Sequence, residues 1–399
     1  MKIKRILLVV VFIQTVAMAG NYIEPNDHVL EVKAPIKVNN DWQSKQQFFG
    51  FSQVGIGLGK GVSKNADYKF QADRIRLAWK YFSGPVVAKV FLDFAKEGSD
   101  QNGMGVPELI KDAFIAYKFD DAVVVKAGMI KTPIGMGFTI PGWNLDVIKR
   151  GFDKKLAFER DFGIMLSGRD IGFDNNAKVN GLEMGHERPW KGFGYDLMFA
   201  GQAGRSGAVI NAYSGNAEAY MGRLMFDWGQ KVHIEASYGI SKNAGGTVGA
   251  KNVKNQVIIT TDLEDYKVFN AGIDSHFDRA NVKAEFYSVE NIRGKIGWDM
   301  ITFALTGTYY ITDTIEFSVK DIFGIETINL EDREARNTYI GFNYYINPQN
   351  NKMDRISRRK RNQHRVQFNY VYVNVDKEFK GVGALFKEDA VLLQYQFKF

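Results

Sequence analysis

From Phe48 onward, apolar and polar residues alternate with a period of two in one segment after another. Ile75, Leu77, Trp79 and Tyr81 share one parity, against Arg74, Arg76, Ala78 and Lys80 on the other. Ala280, Val282, Ala284 and Phe286 likewise oppose Asn281, Lys283 and Glu285. The final stretch sets Val391, Leu393, Tyr395, Phe397 and Phe399 against Leu392, Gln394, Gln396 and Lys398. Such segments are strands with one greasy and one polar face. About sixteen of them, each roughly 8 to 15 residues long, follow one another. They lie near 48–58, 68–82, 86–94, 111–119, 123–130, 158–168, 192–202, 217–228, 231–241, 267–277, 280–290, 299–312, 314–322, 336–347, 363–375 and 390–399.

Two further patterns separate a membrane barrel from a soluble sandwich, which also alternates. Aromatic residues near the strand ends, among them Trp79, Tyr81, Phe94, Tyr117, Phe119, Trp228, Tyr238 and Tyr309, share parity with the apolar set, as the interfacial girdles of a membrane barrel require. Connection lengths also alternate. Even connections such as Ser83 to Pro85, Asp120 to Ala122, Gly229-Gln230 and Asp278-Arg279 are tight, whereas odd ones at 95–110, 131–157, 242–266 and 376–389 are long. Short periplasmic turns and long external loops produce this parity. The even connections 169–191 and 348–362 depart from it. An even strand count returns both ends of the sheet to one side, which makes 390–399 the closing partner of 48–58. The expected fold is therefore all-β: a transmembrane antiparallel β-barrel of about sixteen strands.

Composition is compatible with this. A mean hydropathy of −0.24 does not argue against a membrane barrel, because lipid-facing residues are interleaved with polar ones. The one long apolar run, Ile6 to Ala19, follows Lys2, Lys4 and Arg5 and ends in Ala17-Met18-Ala19, the pattern of a signal peptide over residues 1–19. It is too short for a membrane anchor. Residues 20–47 lack a period and read as an N-terminal periplasmic segment before a barrel at 48–399. The absence of Cys excludes a disulfide scaffold. The formal net charge of +7 includes Lys2, Lys4 and Arg5, so the exported chain is only mildly basic.

The polar parity supplies the candidate chemistry. Arg74, Arg76, Lys80, Lys89, Lys118, Lys126, Arg223, Lys283, Lys320 and Arg365 face the lumen, with Asp93, Asp112, Asp196, Asp227, Glu235, Asp274, Glu285 and Glu316 among them. Arg74 and Arg76 stand about 6 to 7 Å apart along one strand, a spacing suited to handing an anion between guanidinium groups. The alternative is a wall of mutually compensating charges. A lumen of this width is not filled by wall side chains alone, so a selective pore needs an inserted loop. The connection 131–157 is the candidate, with Ile140, Trp143, Leu145, Val147 and Ile148 beside Lys149, Arg150, Lys154 and Lys155. It is expected to fold inward and narrow the channel; an ordinary surface loop is the alternative.

Val125 to Phe138 (VKAGMIKTPIGMGF), Phe158-Glu159-Arg160 and Gly163 to Arg169 (GIMLSGR) resemble the phosphate-selective porin O and P family. The resemblance implies a homotrimeric outer-membrane channel with a basic lumen, and an aromatic last residue, Phe399, read by the barrel assembly machinery. The anion-pathway candidates are Arg74, Arg76, Lys80, Lys126, Lys131, Lys149, Arg150, Lys154, Lys155 and Arg160. The basic run Lys352 to Arg365 reads as a solvated periplasmic turn or an anion-collecting patch, with no nucleic-acid partner expected. No enzymatic or metal pattern appears around His28, His186, His233, His276 or His364, so neither catalysis nor a cofactor or metal is expected. The function expected is passive diffusion of small hydrophilic solutes, with an anion preference that includes phosphate; the alternative is a structural or adhesive surface barrel without an open pore.

Overall fold

In the computed structural model, residues 44–62, 67–95, 109–172, 188, 191–201, 218–228, 231–242, 250–251, 257–258, 264–346, 363–381 and 385–399 are described. The expected signal peptide, most of the 20–47 segment and the basic run up to residue 362 lie outside them, as does most of the connection 169–191.

The strands are β1 Ser44–Leu58, β2 Tyr68–Ser83, β3 Val86–Asp93, β4 Ile110–Lys118, β5 Val124–Lys131, β6 Arg160–Ile171, β7 Gly192–Ala200, β8 Ala219–Trp228 and β9 Val232–Ser241. They continue with β10 Ala250–Lys251, β11 Val257–Ile258, β12 Tyr266–Phe277, β13 Ala280–Glu290, β14 Trp298–Tyr310, β15 Ile315–Ile328, β16 Glu331–Tyr345, β17 His364–Val375 and β18 Ala390–Lys398. All but β10 and β11, which pair only with each other, form one closed antiparallel barrel of 16 strands in which neighbours in sequence are neighbours in space. β18 closes on β1 over Phe51–Lys398 to Leu58–Val391. Gly50 and Phe399 extend the seam, each N–H donating to the other's carbonyl at 3.1 Å. Closure leaves no unpaired edge, the condition for a sheet to sit in lipid.

The barrel is inside out relative to a soluble core. Outward-pointing Ile115, Phe119, Ile164, Leu197, Leu224 and Trp228 are each more than half exposed, whereas inward-pointing Asp93, Asp196, Glu235, Glu316 and Gln394 are buried. Phe94, Tyr117, Tyr238 and Tyr309 are likewise exposed on the outer surface near strand ends. A continuous apolar exterior on a closed barrel is a lipid-facing surface.

The hairpin β15–β16 departs from the expected register of long and short connections. Instead of a loop over 323–335, both strands run on to a two-residue turn in which Ile328 pairs with Glu331. Asn329 and Leu330 both take positive φ, 53° and 69°, the geometry that matches strand twist in a two-residue hairpin. β1 starts at Ser44, before the expected position 48, and β6 starts at Arg160, because Phe158 and Glu159 belong to the base of the preceding loop.

Candidate functional site: a lumen narrowed by an inserted loop

The loop between β5 and β6 is closed at its base, where the Thr132 N–H donates to the Glu159 carbonyl at 3.0 Å. Its apolar residues have no reason to stay in water. Ile134, Phe138, Val147, Ile148, Phe152 and Leu156 are all 3% exposed or less and pack together inside the barrel. The loop therefore folds inward, as expected from its composition.

Polar anchors fix its path across the lumen. It first runs along β12 and β13. Gly135, at φ 89°, passes so close to Tyr287 that a Cβ there would fall 1.9 Å from the phenol oxygen. A short helix, α1 (Met136–Thr139), begins with the Met136 N–H donating to Asn270 Oδ1 at 3.2 Å. The Gly137 N–H donates to both carboxylate oxygens of Glu285, at 2.9 and 3.0 Å. The chain then crosses to β17, β18 and β1. Trp143 packs edge-on against Phe51 with ring centroids 5.1 Å apart, and the Leu145 carbonyl accepts from Arg365 Nη1 at 2.8 Å. Asp146 pairs with Lys283, and the Ile148 N–H donates to Asn369 Oδ1 at 2.8 Å. Finally the Tyr266 hydroxyl donates to the Leu156 carbonyl at 2.7 Å.

A second external loop also enters. Phe379, between β17 and β18, is fully buried 5.9 Å from the Phe152 ring, and the N–H groups of Lys380 and Gly381 donate to Glu326 at 2.7 and 3.0 Å. Phe379, Leu385 and Phe386 carried the same apolar signal in sequence as the first loop, so this insertion was legible by the criterion already applied to 131–157.

The candidate cations fall into three settings. Arg74 and Arg76 are on β2; Arg74 donates to Gln53 Oε1 at 2.5 Å and Arg76 pairs with Asp93 at 2.9 Å. Arg160, at the start of β6, pairs with Asp112 at 2.8 Å, and Lys89 shares that carboxylate at 2.5 Å. The loop cations are held more closely. Arg150 donates to the Gly137 and Ile140 carbonyls, so its guanidinium staples the loop to itself. Burial, followed by repulsion from Arg74, Arg76 and Arg160, holds its pKa below the usual arginine range. Four guanidinium groups thus meet at one side of the throat. Lys149 pairs with Asp73. Lys154 and Lys155 share Glu159 at 3.2 and 3.1 Å. Burial pushes Lys154 down to about 7, Glu159 opposing and Lys155, Arg150 and Arg74 assisting. Burial alone would raise the Glu159 carboxyl, but Lys154 and Lys155 outweigh it and hold the group below the carboxylate range.

Lys80, Lys126 and Lys131 lie elsewhere, on the walls of an open recess lined by β2–β6 and by Asp121 in the β4–β5 turn. Lys89, Lys118 and Arg169 complete its cationic lining, against Asp112 and Asp121. Arg169 shares the parity of Met165 and Ser167, which gave the signal needed to include it among the candidates; it pairs with Asp196 at 2.8 Å.

No protein-family model matches the chain, and no curated protein matches it in sequence. Solved structures do match in fold. OmpT, an outer membrane protein of Vibrio cholerae, is 11% identical over 92% of this chain and 100% of its own, with a TM-score of 0.58. An anion-selective porin from Comamonas acidovorans is 12% identical over 89% of this chain and 100% of its own, with a TM-score of 0.59. The outer membrane channel DcaP of Acinetobacter baumannii is 12% identical over 89% of this chain and 97% of its own, with a TM-score of 0.55. The fold is the 16-stranded barrel of outer-membrane porins. That fold and the continuous lipid-facing exterior place the chain in the outer membrane.

Proposed function

We propose that the protein is a passive diffusion channel for small hydrophilic solutes that prefers anions, phosphate among them, and that it works as a homotrimer. The observation that supports this best is the lining of the recess: six cationic side chains, Lys80, Lys89, Lys118, Lys126, Lys131 and Arg169, of which Lys89, Lys118 and Arg169 pair with Asp112, Asp121 and Asp196. A narrow aqueous path sorts ions by the sign of charge along its walls. The carboxylates Asp146 and Glu285 are engaged in holding the loop, on Lys283 and on the Gly137 N–H. The Comamonas structure is that of an anion-selective porin, and one Vibrio OmpT structure is a trimer form; both properties belong to those proteins and agree with the reading.

The test is the reversal potential of the Lys80→Gln, Lys126→Gln, Lys131→Gln triple variant in a potassium chloride gradient. Its chloride-over-potassium permeability ratio is expected to fall toward unity, and an unchanged ratio refutes the assignment of these lysines. In the wild type the ratio is also expected to decline from pH 6 to pH 8, since Lys154 on the inserted loop, outside the recess, has its pKa lowered to about 7 and is charged below that pH and neutral above it.

We also propose that Phe399, 57% exposed beside the β1–β18 seam, is the handle for the barrel assembly machinery. Deleting it is expected to reduce the folded, heat-modifiable yield in cells more than the conductance of those pores that form. Equal yields would remove that role. A second reading, a surface barrel without an open pore, draws on the inward packing of the loop at 132–159 and of Phe379; it predicts no ion conductance.

A further inference from the structure

The walls of this lumen carry more than charge. Phe49, Phe51, Phe91 and Phe114 occupy inward positions on β1, β3 and β4, where a water-filled pore calls for polar groups, and the loop adds Phe138 and Trp143. Cations lie over these rings. Arg76 is 5.6 Å from the Phe51 centroid and 5.5 Å from Phe91; Lys80 is 5.3 Å from Phe49; Lys89 is 5.0 Å from Phe91 and 5.8 Å from Phe114; Lys131 is 4.8 Å from Phe138. The recess repeats the combination on one stretch of wall. Val87, Phe114, Val124 and Ile130 form an apolar floor, and Lys80, Lys89, Lys126 and Lys131 stand among them.

A bare inorganic anion gains nothing from that floor. The face of an aromatic ring carries the negative end of its quadrupole, and apolar wall displaces water without replacing its hydrogen bonds. A solute with an anionic head and a flat apolar body meets both requirements: its head pairs with the lysines, while its ring stacks on Phe114 and removes apolar surface from water. We propose that the recess is a selectivity site for aromatic carboxylates, with Phe114 as the stacking surface and Lys126 and Lys131 as partners of the carboxylate, Lys131 through a donor other than the one it gives to the Thr139 carbonyl at 2.8 Å, and Lys89 held alongside by Asp112. This rests on the reading of the protein as an anion-preferring pore. The competing explanation is that the rings only seat the lysines, in which case the chemistry of the anion's body does not matter.

The experiment is block of chloride current through single pores by benzoate, acetate and inorganic phosphate. Benzoate is expected to halve the current at a concentration about five- to tenfold below that of acetate or phosphate, the scale of one well-placed aromatic contact. Phe114→Leu retains apolar volume but removes the ring, and Phe114→Ser removes both; the benzoate advantage is expected to shrink in the first and vanish in the second. Chloride conductance recorded in the same membrane distinguishes loss of block from loss of the pore. Equal block by benzoate and acetate, or a benzoate advantage untouched in Phe114→Leu, overturns the proposal. A wild-type pore that prefers potassium overturns the anion reading instead.

Discussion

Arg223→Met is expected to lower the stability of the barrel by about 3 to 5 kcal/mol, the scale for removing one partner of a buried ion pair. Arg223 is 2% exposed on β8. Its Nε and Nη2 donate to Asp196 at 2.9 and 2.6 Å, and Nη1 lies 3.6 Å from Glu235. Without it, Asp196 keeps the buried pair with Arg169, and Glu235 keeps His233 Nε2 at 3.0 Å. His233 is already shared, with its Nδ1 3.1 Å from Asp227. Two buried carboxylates therefore lose a compensating cation together, and for Glu235 it is the main one. The measurement is urea unfolding of refolded barrels in lipid, comparing midpoints at constant slope. Combining Arg223→Met with Asp196→Asn is expected to recover part of the loss, because the second change removes the charge the first left behind. Replacing Lys267, which pairs with Glu290 at the exposed end of β12, is expected to leave the midpoint unchanged.

Shortening the β5–β6 loop, by replacing residues 136–155 with a brief Gly-Ser link, is expected to raise single-channel conductance severalfold and to weaken ion selectivity. The base of the loop survives this change, since the Thr132 and Glu159 backbone bond lies outside the replaced segment. What disappears is the stretch pinned to Glu285 and Lys283 on β13 and to Asn369 and Arg365 on β17, two strands separated in the barrel by β14, β15 and β16. A barrel of this strand number without its insertion encloses an open channel. Buried Phe138, Val147, Ile148 and Phe152 are lost as well, so the variant is expected to unfold at lower denaturant while remaining heat-modifiable. A variant that folds yet conducts like the wild type would show that the loop does not set the aperture.

The barrel was legible because period two places every second residue on a surface, and that surface stays apolar over strand after strand. The closing pair β1–β18 followed from strand parity and was found as expected. What escaped was local. Over 323–335, Gly324, Glu326 and the charged residues after Asn329 broke the pattern, and no Gly followed Asn329 to mark a two-residue turn, although strand pairing runs through the whole segment. The inward loop was legible from its apolar content, but the partners of its cations were not. Arg150 reads as a lumen charge, yet it donates to the Gly137 and Ile140 carbonyls, a contact set by loop conformation that no periodicity encodes. The inward rings were missed for a different reason. Aromatic residues were assigned to the lipid-facing girdle, whereas Phe91 shares the parity of Lys89 and Asp93, and Phe114 that of Asp112 and Lys118.

Conduction with a preference set by the cationic recess is the central claim. Its most direct measurement is the zero-current potential of single wild-type pores in a potassium chloride gradient, with the protein reconstituted as purified from membranes. The sign expected is that of chloride permeating faster than potassium, and the share of the preference owed to Lys154 on the loop is expected to decline as pH rises from 6 to 8. A potential of the opposite sign, or membranes that never conduct, would contradict it.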